Sequence, residues 1–222
     1  MDIIEKKFRP AAVIFDMDGL MLDTERITIP LWDEAGKKFG YRIPFDTVLK
    51  MVGISSQNAR DALLKEYDEN FPYDKIRDEF RLLCKRAYAN GIPHKKGLIF
   101  LLDRLTAAKI PLGVATSSRR ESAMENMEKA GILKYFAAIT GGDEVENGKP
   151  APDIFLLAAK KLRRPPSACA GFEDSPAGLR GLHAAGIRSV FIRDMIDPPQ
   201  EVLDTVWRTC GDLFEAAELF EC

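Results

Sequence analysis

Short continuous apolar runs recur along the chain, at residues 11–15 (AAVIF), 112–115 (LGVA), 168–172 (ACAGF) and 189–192 (SVFI), with a weaker fifth at 137–140 (AAIT). They do not alternate apolar with polar, so each reads as a strand covered on both faces, as in a parallel sheet. The segments between them carry helix signals. Ser118 followed by Glu121 fits a capping box, with Gly131 placed to close that helix. Ser175-Pro176 fits an N-cap and first helical position before a helix ending at Gly186, and Pro152 opens another through Leu162. Strands alternating with helices in this way predict a doubly wound α/β core.

The stretch from Glu25 to Lys96 departs from that rhythm. It holds no buried-strand pattern, and helical periodicity occupies residues 27–39, 57–67 and 73–90. The expectation is an all-helical insertion after the first strand. Residues 1–24 and 97–222 then form the α/β core, and residues 25–96 a smaller helical cap.

Composition narrows the partners. Lys and Arg total 32 against 34 Asp and Glu in 222 residues, a net charge of −2. No overall field recruits nucleic acid or an acidic membrane, so any bound anion must be held by a local site. No apolar run approaches the roughly 18–20 residues of a membrane span. The charged N-terminal stretch MDIIEKKFRP lacks a signal peptide's apolar segment, so a cytoplasmic location is expected. Cys84, Cys169, Cys210 and Cys222 show no CxxC spacing, which argues against zinc or a disulfide framework. Cys169 reads as a small buried hydrophobe.

Open α/β sheets bind ligands beyond the carboxyl ends of their strands, and there the chain places its chemistry. The first strand runs into Asp16-Met17-Asp18-Gly19. Two carboxylates so close raise each other's pKa unless a cation relieves them, although Asp18-Gly19 alone would also suit a solvated turn. The second strand ends in Thr116-Ser117-Ser118, whose hydroxyls and N–H groups suit either a phosphate or a simple helix cap. Lys149 precedes Pro150 and is either a surface charge or an ammonium fixed against an anion. The fourth strand leads to Glu173-Asp174, of which capping would occupy only one.

Taken together, Asp16-Met17-Asp18-Gly19, Thr116, Lys149 and Glu173-Asp174 resemble, in order, the four motifs of the haloacid dehalogenase superfamily. The stretches DMDGLMLDTE, GKPAPD and GFEDSPAG are similar to its β-phosphoglucomutase-like and sugar-phosphatase branch. The resemblance spans nearly the whole chain. It implies a Rossmann-like core with a cap, and Mg²⁺-dependent hydrolysis of a small phosphomonoester, a sugar or polyol phosphate, through an aspartyl phosphate. Asp16 would be the nucleophile and Asp18 the general acid and base. Thr116 and Ser117 would hold phosphate, and Lys149 would stabilise charge. The metal would take Asp16, Asp18 through its carbonyl, and Asp174, with Glu173 close by or ligating. Dehalogenase members lack the second aspartate, which is present here. Phosphonate-cleaving members use a cap lysine, a route that Lys37, Lys38, Lys50 and Lys65 leave open.

Mutases of the branch carry a histidine where this chain has Thr28, and a cap-loop arginine where it has Ser56. Phosphatase is therefore preferred, with a phosphosugar mutase as the alternative. A non-catalytic metabolite-binding module is the reading from another class. Gly53, Ser56, Arg119 and Arg120 are candidate substrate contacts, while Trp32 and Met51 read more readily as core. His94 and His183 receive no role, and a monomer is expected.

Overall fold

The computed structural model describes residues 8–54, 56–68 and 70–220, apart from the side chain of Ser56. Six parallel strands form one sheet in the order β3-β2-β1-β4-β5-β6. They are β1 (Ala12–Phe15), β2 (Leu112–Thr116), β3 (Ala138–Gly141), β4 (Cys169–Glu173), β5 (Arg188–Ile192) and β6 (Arg208–Cys210). The first five fall on the apolar runs. β1 lies between β2 and β4, with Phe15 in register with Val114 on one side and Phe172 on the other. Here the sheet's winding reverses, which opens a crevice at the carboxyl edge.

Side chains alternate across a strand, and both faces are covered. Val13 and Phe15 enter a core with α5 (Leu98–Ala107) and α6 (Arg120–Lys129). Ala12 and Ile14 enter another with α7 (Asp153–Lys161) and α8 (Pro176–Ala184). The C-terminal pieces α9 (Gln200–Leu203) and α10 (Leu213–Ala216) flank β6 in the chain. Phe15 stacks on Phe172 at 4.9 Å between ring centroids, joining the two central strands through their side chains.

Helix ends follow local chemistry in some places and tertiary contacts in others. Ser175 caps α8 as its sequence predicts, its side chain accepting the Gly178 N–H at 3.0 Å. Gly131 and Gly186 take positive φ after α6 and α8. The capping box expected at Ser118 and Glu121 does not form. α6 begins after Arg119, and the Ser118 hydroxyl donates instead to Asp18 Oδ2 at 2.9 Å.

Between β1 and α5, among the described residues, the chain is helical: α1 (Thr24–Lys37), α2 (Phe45–Leu49), α3 (Ser56–Glu66) and α4 (Tyr73–Ala87). These helices bury an apolar cluster of their own, including Ile29, Ile43, Leu63, Phe71 and Ile76. Trp32 of α1 stacks on Phe80 of α4 at 4.2 Å, tying the two helices together. The segments entering and leaving this layer are bonded to each other. Asp23 N–H donates to the Pro93 carbonyl at 3.0 Å, and Lys95 N–H to the Met21 carbonyl at 2.9 Å. No helix among the described residues is long and apolar enough to cross a membrane.

Candidate active site

β1 delivers Asp16 to the carboxyl edge, where its N–H donates to the Phe172 carbonyl at 3.0 Å. The Asp16 carboxylate accepts a short hydrogen bond from Lys149, which is only 1% exposed. The same ammonium donates to Glu173 Oε1 at 2.5 Å. Glu173 Oε2 in turn accepts from the N–H groups of Asp174 and Ser175 and from the Ser175 hydroxyl, each at 2.9 Å. Gly178 faces this carboxylate and leaves it the space that a Cβ would fill. Burial alone would lower the Lys149 pKa. Asp16 and Glu173 outweigh it and hold the ammonium above the usual lysine range.

Asp18 is held by hydroxyls from two directions. Thr24 Oγ1 donates to its Oδ1 at 2.9 Å, and Ser118 Oγ to its Oδ2 at 2.9 Å, with Thr116 Oγ1 farther off at 3.4 Å. Thr116 also accepts the Ser118 N–H at 3.1 Å, which shapes the turn after β2. Gly53, at φ +74°, sits against Ser175, and its carbonyl faces the Ser117 hydroxyl at 3.5 Å.

A second acidic group adjoins the first. Glu25, Asp174 and Asp194 each offer a carboxylate oxygen, all within 4.8 Å of one another. Glu25 Oε2, Asp174 Oδ1 and Asp194 Oδ2 are buried without a hydrogen-bond partner. Burial raises the Glu25 pKa to about 9, helped by the charge of Asp18. Burial likewise lifts Asp16 to about 8 against the pull of Lys149, and Asp174 well above its ordinary value with help from Glu173. Buried acids with orphaned oxygens, two of them packed against Gly19, suit a hard cation that takes oxygen ligands, and such a cation reverses the pKa logic.

Beside these groups lies a cleft of about 550 Å³ between the sheet's carboxyl edge and the helical layer. Asp16, Asp18, Thr116, Ser117, Gly53 and Arg119 all line it. Arg120 does not; its N–H caps onto Asp143 Oδ1 at 2.8 Å and its guanidinium faces Glu144. Ser56 opens α3, but its side chain lies outside the described residues. Trp32 and Met51, expected in the core, belong partly to the cleft wall. Lys149, Glu173 and Asp174 are buried and lie outside the cleft's lining.

Sequence reasoning passed over Thr24, Glu25 and Asp194. The first two lie inside the quoted DMDGLMLDTE, and Asp194 follows a strand end as Asp16 does. That shared position was the available signal. The cations Arg77, Arg81 and Lys85, spaced by four on α4, also line the cleft; four-residue spacing on a helix puts them on one face.

A family model described as haloacid dehalogenase-like hydrolase matches residues 13–192. The chain belongs to this family. Within the family, the chain is 31% identical to β-phosphoglucomutase of Bacillus subtilis over 214 residues, covering 91% of each protein. It is 28% identical to a phosphorylated carbohydrates phosphatase of Thermotoga maritima, over 81% of this chain and 83% of that one. The crystal structure of CbbY from Rhodobacter sphaeroides with phosphate superposes with a TM-score of 0.79, at 24% identity, over 93% of this chain and 96% of that one. That likeness shows the shared fold.

Proposed function

We propose that the protein is a Mg²⁺-dependent phosphomonoester hydrolase that acts on a small phosphorylated metabolite, a sugar or polyol phosphate. The observation that carries this reading is the pairing of Asp16 with a buried Lys149 beside an Asp18 held by two hydroxyls, with both aspartates lining one cleft. Asp16 attacks phosphorus, its oxygen forming the new P–O bond as the ester P–O bond breaks. Asp18 protonates the departing alkoxide, then takes a proton from the water that attacks the aspartyl phosphate. Inorganic phosphate leaves and Asp16 is regenerated. Lys149 neutralises Asp16 and the approaching phosphoryl oxygens, while Glu173, with both oxygens occupied, holds the ammonium in place rather than serving as a ligand. Thr116, Ser117 and the adjacent N–H groups bind phosphate oxygens.

The orphaned acid oxygens support a resident divalent cation, with Asp16, Asp174 and the Asp18 carbonyl as its holders. When bound, it offsets the negative charge that acid and phosphate bring together. Residues 25–96 act as the cap that covers the cleft and keeps bulk water from the reacting phosphorus.

Relatives named as a carbohydrate phosphatase and as β-phosphoglucomutase support a phosphosugar substrate. Hydrolysis is favoured over phosphate shuttling because Thr28, which lines the cleft and is hydrogen-bonded with Tyr88, offers no imidazole for proton transfer. The test is a panel of phosphorylated metabolites with Mg²⁺, alongside p-nitrophenyl phosphate with and without EDTA. Phosphate release abolished by EDTA is expected. Conversion of β-glucose 1-phosphate without phosphate release, in the presence of a bisphosphate activator, would overturn the hydrolase assignment.

A further inference from the structure

The trio Glu25, Asp174 and Asp194 comes from three separate elements: the first turn of α1, the loop after β4 and the loop after β5. Glu25 is 8% exposed and Asp174 4%, and the Asp194 side chain is 2% exposed. Asp194 is supported asymmetrically. Its Oδ1 takes Arg26 Nη2 at 2.9 Å and Lys95 Nζ at 2.6 Å, while its Oδ2 has no hydrogen-bond partner. Glu25 Oε2 and Asp174 Oδ1 are unpartnered in the same way. Gly19 leaves room for the gathering, since a Cβ there would stand 2.5 Å from Asp174 Oδ2 and 2.9 Å from Glu25 Oε2. A buried carboxylate oxygen without a donor is costly, and three such carboxylates gathered within 4.8 Å compound the cost. A cation among them removes it, and all-oxygen donors select a hard divalent ion.

We infer that Glu25 and Asp194 join Asp174 as oxygen donors to the coordination shell of the divalent cation, so that one ion is held jointly by the sheet and by α1. The inference rests on the metal-dependent reading above and adds two residues to it. Because Glu25 belongs to the first helical turn after β1, the ion fixes the base of the helical layer as well as the reacting groups. The two basic partners of Asp194 aim it through Oδ1 and leave its other oxygen for the ion.

The probe is Mn²⁺, titrated into the full-length protein while free Mn²⁺ is followed by electron paramagnetic resonance. Wild type is expected to bind one ion. Glu25→Gln and Asp194→Asn are each expected to weaken that binding by about 10–100-fold, the usual effect of removing groups that support a metal site. Glu125→Gln, at the cleft wall but outside the trio, is expected to stay within about twofold of wild type. The Mg²⁺-induced rise in melting temperature should shrink in the first two variants, as linkage requires. Glu25→Gln relieves charge crowding, so its ion-free form should melt no lower than wild type and remain measurable even if Asp194→Asn does not fold. Affinity within about twofold of wild type in Glu25→Gln overturns the inference and leaves the hydrolase reading standing. A wild-type protein that binds no Mn²⁺ overturns both, and a second bound ion of similar affinity overturns the shared site.

Discussion

Lys149 and Glu173 form a fully buried ion pair, Nζ to Oε1 at 2.5 Å, and Glu173 spends its other oxygen on three donors from its own loop. The lysine is thereby fixed beneath Asp16. Replacing it with methionine leaves two carboxylates buried without a counter-charge. Lys149→Met should lose about 3–5 kcal/mol of stability, the cost of breaking a buried pair. Urea unfolding measures this, and a loss under about 1 kcal/mol would mean that the pair is not closed in solution.

Asp16→Asn removes the attacking oxyanion while preserving shape. Turnover should fall by at least about 10³-fold, as when other covalent nucleophiles are removed, with the circular dichroism spectrum unchanged. Trapping of ³²P on the wild-type protein and its absence from the variant would tie the loss to this carboxylate.

Ser118 and Thr24 orient Asp18 by hydrogen bonds of 2.9 Å to its two oxygens. Ser118→Ala should lower kcat by roughly tenfold, below the 10²–10⁴ range of a lost acid–base group. Because the hydroxyl orients Asp18 rather than holding substrate, KM should change little. A rise in KM with kcat intact would point to substrate contact.

Burial raises the pKa values of Asp16 and Glu25, to about 8 and 9, and that of Asp174 well above its ordinary value. Acids whose folded pKa is raised bind more protons folded than unfolded, so their contribution is fully present below about pH 4 and is lost as pH rises towards 9. In EDTA, the melting temperature should therefore decline between pH 5 and 9. Saturating Mg²⁺ should flatten that decline, because the ion favours the ionised acids. A melting temperature that instead rises with pH in EDTA would contradict these shifts.

Gly53 combines φ +74° with a backbone pressed against Ser175. A methyl group there meets both strain and collision, so Gly53→Ala should hold the helical layer off the site. A misplacement of this kind costs as much as about 10²-fold in rate, seen in kcat/KM, while the melting temperature should change little. Unchanged kinetics would show that this contact does not form during turnover.

The central strands were legible because β1, β2 and β4 are buried on both faces and so leave unbroken apolar runs in the chain. β6 was not. It is three residues long at the sheet edge, with Arg208 and Thr209 partly or fully exposed, so no run marks it. Short helices such as α9 and α10, four residues each, leave no periodicity to read. Ser118 illustrates a different limit. Its local pattern favours a cap, yet its hydroxyl is taken by Asp18, a hundred residues earlier in the chain. The convergence of Glu25 with Asp174 and Asp194 is equally non-local, since no spacing rule relates an α1 position to loops after β4 and β5.

The two segments that tether the helical layer are bonded as a short antiparallel ladder, with Leu22 facing His94. Tethers bonded to each other cannot swivel separately without breaking a backbone hydrogen bond, so they constrain the layer more than two independent linkers would. Arg81 and Lys85 on α4, which line the cleft, are carried by the layer these tethers anchor.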